Sequence, residues 1–413
     1  MKRKLRRAAP WRRHLPRVPF LGARWMRGVL AGLVLLLLHG AIASVSLGLL
    51  YRDALREKAA DLLANYIQAE VTVQGVRVSF RQSWPDVSLV LEDAQVRLPA
   101  DAGQPGRRIL YAPELALTFD LPALLLHDQT DLRQVHVRGA RIHLVKDTQG
   151  RWNWEQALAP LLAADASAPD TTATVLDLRK LQFTGLDLLV EDLGNGVTVD
   201  LAHSDLFLRG RFAQDDYTLE IDEAGLLREL TVRGRTWVAN KPVRLRTEFD
   251  VTHADSRYRI RQGRLALADL GLQLTGSLRV PGPRMELDLA YETHEARFAD
   301  VLSTLPGLEQ VMLDELEAAG RFALKGTVRG TLAHKQVPAI TAAFAVDEAS
   351  LQHQDFAQAA LSGLSLAGTL SFDRAHKEDA ELVLKDIRGK LGNGEVAGHL
   401  TVANFLAPRL DAA

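Results

Sequence analysis

Tyr258 to Val280 reads YRIRQGRLALADLGLQLTGSLRV. Apolar and polar residues alternate along most of it, with Leu272, Leu274 and Leu278 set against Gln273, Thr275 and Arg279. A period of two puts one set of side chains on each face of a strand, so this stretch reads as sheet with one apolar and one wet face. The same period runs outward in both directions. Before it come VTVQGVRVSF from Val71, VSLVLEDAQVRL from Val87, PELALTFDL from Pro113, RQVHVRGARIHLV from Arg133 and LQFTGLDLLVED from Leu181. After it come MELDLAYE, GRFALKGTVRGTL, ITAAFAV, LSGLSLAGTLSF, AELVLKDI and EVAGHLTV. Gly, Asn-Gly, Asp-Asp and Pro separate these runs, as turns require. The expectation is a mainly β protein, a long antiparallel meander.

An apolar-x-Gly-x-apolar echo centres on Gly276, Gly326, Gly368 and Gly398. Glycine inside a strand marks a bulge, a bend or a close backbone approach. The echo therefore predicts either a sheet that curls or glycines that simply suit a twisted one. Two interruptions depart from the period. Trp154 to Leu162 predicts a short helix, followed by a flexible linker over 164–174 (ADASAPDTTAT). Residues 297–317 predict a helical insertion, split at Pro306-Gly307.

The N-terminus has a different chemistry. Residues 29–51 (VLAGLVLLLLHGAIASVSLGLLY) are uncharged and apolar, and about 20 such residues span a bilayer as a helix. Residues 1–28 carry ten Lys and Arg and no acid, which predicts a cytoplasmic flank with the rest of the chain across the membrane. A cleaved signal peptide is the alternative, since Ala41-Ile42-Ala43 and Ser44-Val45-Ser46 have cleavage-site spacing. The apolar run continues past both to Leu50, which favours a retained anchor. Residues 52–70 have helical apolar spacing through Leu55, Ala59, Leu62, Leu63, Tyr66 and Ile67. The expected organisation is thus 1–28 basic segment, 29–51 transmembrane helix, 52–70 amphipathic helix, 71–163 first β region, 164–174 linker and 175–413 β-rich body.

Beyond Gly28 the chain has 40 basic and 51 acidic residues, a net charge near −11. That argues against nucleic acid as a partner, because phosphate binding needs concentrated positive charge. With 0 cysteines, no disulfide, thiolate metal site or cysteine nucleophile exists. No catalytic or cofactor motif is found: there is no Gly-x-Ser-x-Gly elbow, His-Glu-x-x-His or Walker loop. Asn393-Gly394 reads as a hairpin turn. His136 and His143 are expected on neighbouring strands, as solvated strand histidines rather than metal ligands. Asp215-Asp216 and Glu191-Asp192 are expected to be solvated turn formers. Catalytic, cofactor and metal residues are therefore all expected to be none, and the protein is not expected to be an enzyme.

Several pieces of the first part match one family in order and spacing. These are Ala69 to Val76, Val78-Ser79-Phe80-Arg81-Gln82-Ser83-Trp84-Pro85-Asp86, Leu115 to Leu125, and Ala140 to Trp154 with its Gly150-x-x-Asn153-Trp154 ending. To about Leu162 the chain resembles the AsmA-like family of membrane-anchored envelope proteins. Gly150, Asn153 and Trp154 are expected to serve a turn, a local backbone bond and packing.

The resemblance implies kinship with bridge-like lipid transfer proteins, whose curled sheets form a groove lined with apolar side chains. Such a groove favours acyl chains by about 0.8 kcal/mol per buried CH₂ and needs no catalytic residue. Its candidate lining is Val87, Leu89, Leu91, Leu115, Leu117, Phe119, Val135, Val137, Ile142 and Leu144. The same residues could instead fill an ordinary closed core. The expected partners are phospholipid, the inner membrane, and an outer-membrane or periplasmic protein. Roughly 18 strands at about 4.8 Å extend about 80 Å, short for an unaided bridge. The expected setting is the bacterial inner membrane, single-pass, with the bulk periplasmic. The competing function is a non-enzymatic scaffold for outer-membrane protein assembly.

Overall fold

In the computed structural model the described residues are 70–79, 86–98, 107–120, 132–157, 178–212, 214–281, 284–293, 296–304, 316–333, 336–353, 360–372, 380–404 and 409–412. The segments expected at 1–28, 29–51 and 164–174 lie outside them. Of the expected helix at 52–70, only Glu70 is described, and it opens a strand. Among the described residues, no helix is long and apolar enough to cross a membrane.

The described residues form twenty strands in one sheet. The first group is β1 (Glu70–Thr72), β2 (Gly75–Ser79), β3 (Val87–Arg97), β4 (Arg108–Phe119), β5 (Leu132–Arg138), β6 (Arg141–Lys146), β7 (Lys180–Asp192) and β8 (Val197–Arg209). The second is β9 (Asp216–Val232), β10 (Arg235–Thr252), β11 (Arg257–Leu267), β12 (Leu270–Arg279), β13 (Met285–Thr293), β14 (Ala296–Arg297), β15 (Leu316–Leu332) and β16 (Ala339–His353). The last is β17 (Leu361–Phe372), β18 (Glu381–Leu391), β19 (Gly394–Ala403) and β20 (Arg409–Ala412). From β7 to β13 and from β15 to β20, each strand pairs antiparallel with the next. β13 and the two-residue β14 both pair with β15.

The expected antiparallel meander holds except at one seam. β5 and β6 act as one strand bent at Gly139, and both pair parallel with β7. Parallel neighbours cannot be joined by a tight hairpin, so the chain must cross over between Lys146 and Lys180. That connection begins with a turn and a short helix, α1 (Asn153–Ala157). It also contains the 164–174 stretch. The second helix, α2 (Phe298–Leu302), starts the 297–317 insertion, and Leu316 and Glu317 already belong to β15.

The strands are long but not regular. A line of kinks crosses from β3 to β8. Asp93 (φ 51°), Gly139 (φ 62°), Gly185 (φ 65°) and His203 (φ 50°) all have left-handed backbone. The register slips between Phe183 and Leu186 and between Ala202 and Asp205. Side-chain hydrogen bonds accompany these kinks. Gly185 N–H donates to Asp205 Oδ1 (2.9 Å), His203 N–H to Asp187 Oδ1 (3.1 Å), and Tyr111 O–H to Asp93 Oδ1 (2.8 Å). Pro113 lies opposite Asp93, where the bulge asks no ladder donor of it. A second line runs through Gly320 (φ 113°), Glu348 (φ 51°), Gly363 (φ 61°) and Asp386 (φ 55°) on β15 to β18.

Three of the four recurrent glycines, Gly276, Gly326 and Gly368, have a contact reason rather than a merely permissive one. At Gly276 (φ 119°) a Cβ would stand 2.1 Å from the Asp288 carbonyl oxygen of the next strand. Gly368 lies under the Phe344 ring, where a Cβ would meet Cζ at 2.2 Å.

Candidate functional site: a one-sided apolar face

The paired registers join into rungs that can be followed across the sheet. One begins at Val78 and passes through Leu89, Leu117, Val135, Leu181 and Leu208. It continues through Ile221, Thr247, Gly263, Leu274 and Tyr291 to Gly326, Ala342, Leu370, Leu382, Val402 and Leu410. No member carries a charge. The neighbouring rung on the same face is Val76, Leu91, Leu115, Val137, Phe183, Leu206, Glu223, Leu245, Leu265 and Leu272. Glu223 is its one ionisable residue.

The intervening positions face the other way and are polar through most of the sheet. Asp222, Arg246, Arg264, Gln273, Glu292 and Lys325 follow one another across β9 to β15. Cross-strand ion pairs cover this face, among them Arg246–Asp222 (2.9 Å), Arg261–Glu248 (3.0 Å) and Arg329–Asp288 (2.9 Å). Exposed pairs of this kind add little stability each, about 0–1 kcal/mol, but they keep the face wet.

The apolar face changes character along the sheet. At its start it is closed. Val87, Leu89, Leu91, Phe119 and Val137 are buried, and Leu115, Leu117, Val135 and Ile142 pack against them half-buried. So nine of the ten residues nominated from the sequence fall in one core cluster; Leu144, half-buried on β6, is outside it. Val87 to Leu91 are buried at five consecutive positions, so β3 is covered on both faces there. From β10 onward the two rungs carry Leu245, Leu265, Leu272 and Leu274, all half-buried, and Leu289 and Phe344 are half-buried on later strands. The sequence search nominated none of these. Their alternation was visible, but nothing in one strand tells whether another layer will cover it.

Glu223 is the exception on the apolar face. It is buried, and Ser204 Oγ donates to its Oε1 at 2.9 Å in the kink line. Burial pushes its carboxyl pKa up, more than the Ser204 bond lowers it, and the nearby Asp222 charge adds to the rise. The folded protein therefore holds this proton to higher pH than the unfolded chain does. That contribution to stability is complete at pH below the ordinary carboxyl range and is lost as pH rises through the folded pKa. Glu223→Gln is expected to raise the urea midpoint at neutral pH and to flatten its dependence on pH from mildly acidic to neutral. Unfolding curves at a series of pH values check this.

The Gly150-x-x-Asn153-Trp154 ending has the local role expected of it at two positions. Gly150 takes φ 87° in the turn. Asn153 acts as a substitute strand for the end of β6: its Nδ2 donates to His143 O (2.8 Å) and its Oδ1 accepts from Val145 N–H (3.1 Å). Trp152 rather than Trp154 receives a cation, with Lys146 Nζ 5.6 Å from its ring centre. Asn153→Ala removes both bonds and is expected to cost about 1–3 kcal/mol, read as a lower urea midpoint.

The remaining polar candidates are dispersed. His136 and His143 lie on the one continuous β5–β6 strand, not on neighbours, and seven residues of strand separate them by about 23 Å. His136 bonds Thr184 Oγ1 (3.1 Å), and His143 bonds Glu191 (2.5 Å). Glu191 and Asp192 end β7 at its turn into β8: Asp192 Oδ1 accepts from Asn195 N–H (2.9 Å) as a turn former, and the pair is also engaged by Arg107 and Lys146. The hairpin after β18 turns on Gly392-Asn393, since Leu391 pairs with Gly394. Among the described residues no group of three or more His, Cys, Asp or Glu could hold a metal ion.

The AsmA family model matches residues 26–207. Over residues 26–207 the chain is AsmA-like. The family points to an envelope-associated protein. The match ends in β8, so the closed core lies inside the AsmA-like part and the strands from β9 onward lie outside it. No curated protein and no solved structure matches the chain.

Proposed function

We propose that this protein is anchored in the inner membrane by residues 29–51, with the body periplasmic, and holds phospholipid on its apolar β face. It would contribute in this way to lipid transport and outer-membrane biogenesis. The observation that carries the reading is the rung from Val78 to Leu410, charge-free across the whole sheet, whose members from Leu274 to Val402 are only half-buried. A closed core offers no room for a ligand. A face left half-exposed over this many strands is costly in water, and each acyl methylene laid on it gains about 0.8 kcal/mol. The wet opposite face and the strand ends leave headgroups in solvent. Such a surface moves lipid by successive exchange of equivalent contacts, so no proton transfer or nucleophile is required. The kinks on two lines support a sheet that curls around its apolar side. Binding the inner membrane at one end and a protein partner toward the outer membrane completes the reading.

Native mass spectrometry of the full chain in mild detergent, with lipid extraction from the same sample, tests it. One or more phospholipids per chain is expected. Folded, lipid-free protein would refute the reading and leave the scaffold, for which the closed packing of β2 to β8 would then be the model.

A further inference from the structure

Two large apolar side chains stand out of the sheet at adjacent turns. Leu193, in the β7–β8 turn, is 52 % exposed, and Trp237, at the start of β10, is 58 % exposed. The turns touch: Arg233 N–H donates to Gly196 O at 2.6 Å. Arg233 to Trp237 are exposed at five consecutive positions. Among the described residues neither Arg233 nor Arg235 has an ion-pair partner. The nearby acids are engaged, Asp192 by Lys146 and Asn195, Glu229 by Thr231 and Thr236.

The place of these tips in the fold matters. β3 and β7 run in the same direction, because β4 opposes β3, β6 opposes β4, and β6 and β7 are parallel. The ends of β3, β7 and β9 therefore lie on one edge of the sheet. The chain enters the sheet at that edge, where Glu70 pairs with Arg97. From β3 to β10 is six strand spacings, about 29 Å. Only the residues 52–69 separate that point of entry from the apolar stretch that ends at Tyr51.

We propose that the edge carrying Leu193 and Trp237 docks on an anionic bilayer surface. The indole and the leucine enter the interface, and Arg233 and Arg235 meet lipid phosphates. Trp is suited to that boundary because its body is apolar and its N–H is polar. Each arginine close to an anionic leaflet adds attraction. The docking goes beyond the lipid-groove reading and does not depend on it. Its consequence for that reading is that the rim of the apolar face would meet the leaflet from which lipid is taken.

The lack of cysteine makes the test direct. Trp237→Cys and, as a control, Ala254→Cys in the exposed β10–β11 turn at the opposite edge each give a unique labelling site. The full chain, labelled with an environment-sensitive fluorophore, is placed in nanodiscs containing phosphatidylglycerol and doxyl-labelled phosphatidylcholine. Matching thermal unfolding of both variants shows that neither is misfolded. At position 237 doxyl lipid is expected to quench at least about threefold more than at 254, and Arg233→Glu with Arg235→Glu is expected to remove the difference. Absent quenching at 237, or equal quenching at both sites, overturns the proposal. So does a blue-shifted label at 237 that doxyl lipid does not quench, since a protein surface then covers the edge.

Discussion

Leu91→Ala is expected to destabilise the protein by about 2–5 kcal/mol, and Leu274→Ala by clearly less. Both residues are leucines on the same apolar face. Leu91 is 2 % exposed and belongs to the core cluster with Leu89, Ala94, Ala112 and Phe119. Removing its side chain leaves a cavity whose walls are held by neighbouring strands, so the transfer loss and the cavity term add. Leu274 is half-buried, with its cross-strand neighbours Gly263 and Tyr291 leaving part of it to solvent. Its truncation opens surface that water can fill. Urea unfolding of the full chain in mild detergent measures both. Equal losses would mean that the face beyond β10 is packed as tightly as its start.

The second large effect falls on lipid rather than on stability. Leu265 and Leu272 face each other across β11 and β12. Leu265→Lys combined with Leu272→Glu places an opposite-charge pair there, which preserves cross-strand attraction while making the floor polar. Losing contact with about three methylenes at about 0.8 kcal/mol each weakens lipid binding roughly fiftyfold. Gln273→Glu, opposite Arg264 on the wet face, is expected to leave lipid retention unchanged. The amount of phospholipid recovered per chain separates the two outcomes.

The period of two in Tyr258–Val280 and its counterparts predicts the sheet, and the antiparallel order of β7 to β13 and β15 to β20 follows from the short turns between them. The parallel seam was not legible. Gly139 reads as a turn between two hairpin strands, and only the pairing of β5 and β6 with β7 shows that the chain runs on through it. Nor were the phase slips legible. In Val87 to Val96 the apolar residues move from odd to even positions across Asp93, because the bulge turns one residue out of the ladder. Leu186 follows Phe183 on the same face for the same reason at Gly185.

The site was legible in kind and displaced in position. Apolar alternation identifies a face, whereas whether that face is covered depends on which strands and connections pack over it. The residues nominated from β3 to β6 fall mainly in the densest packing of the sheet, and equivalent residues on β10 to β16 remain half-exposed. Glu223 illustrates the same point at one residue. Directly after YTLEID (217–222) it looks like part of a polar stretch, and only the rung Leu206–Glu223–Leu245 shows it pointing with the leucines.

The central claim is that acyl chains lie on one face of this sheet. A photo-crosslinking amino acid at Leu272, and separately at Gln273, in the full chain within native membranes tests it most directly. The account predicts phospholipid adducts by mass spectrometry from position 272 and none from its sequence neighbour 273, which points to the wet face. Adducts from neither position, or equally from both, would contradict it.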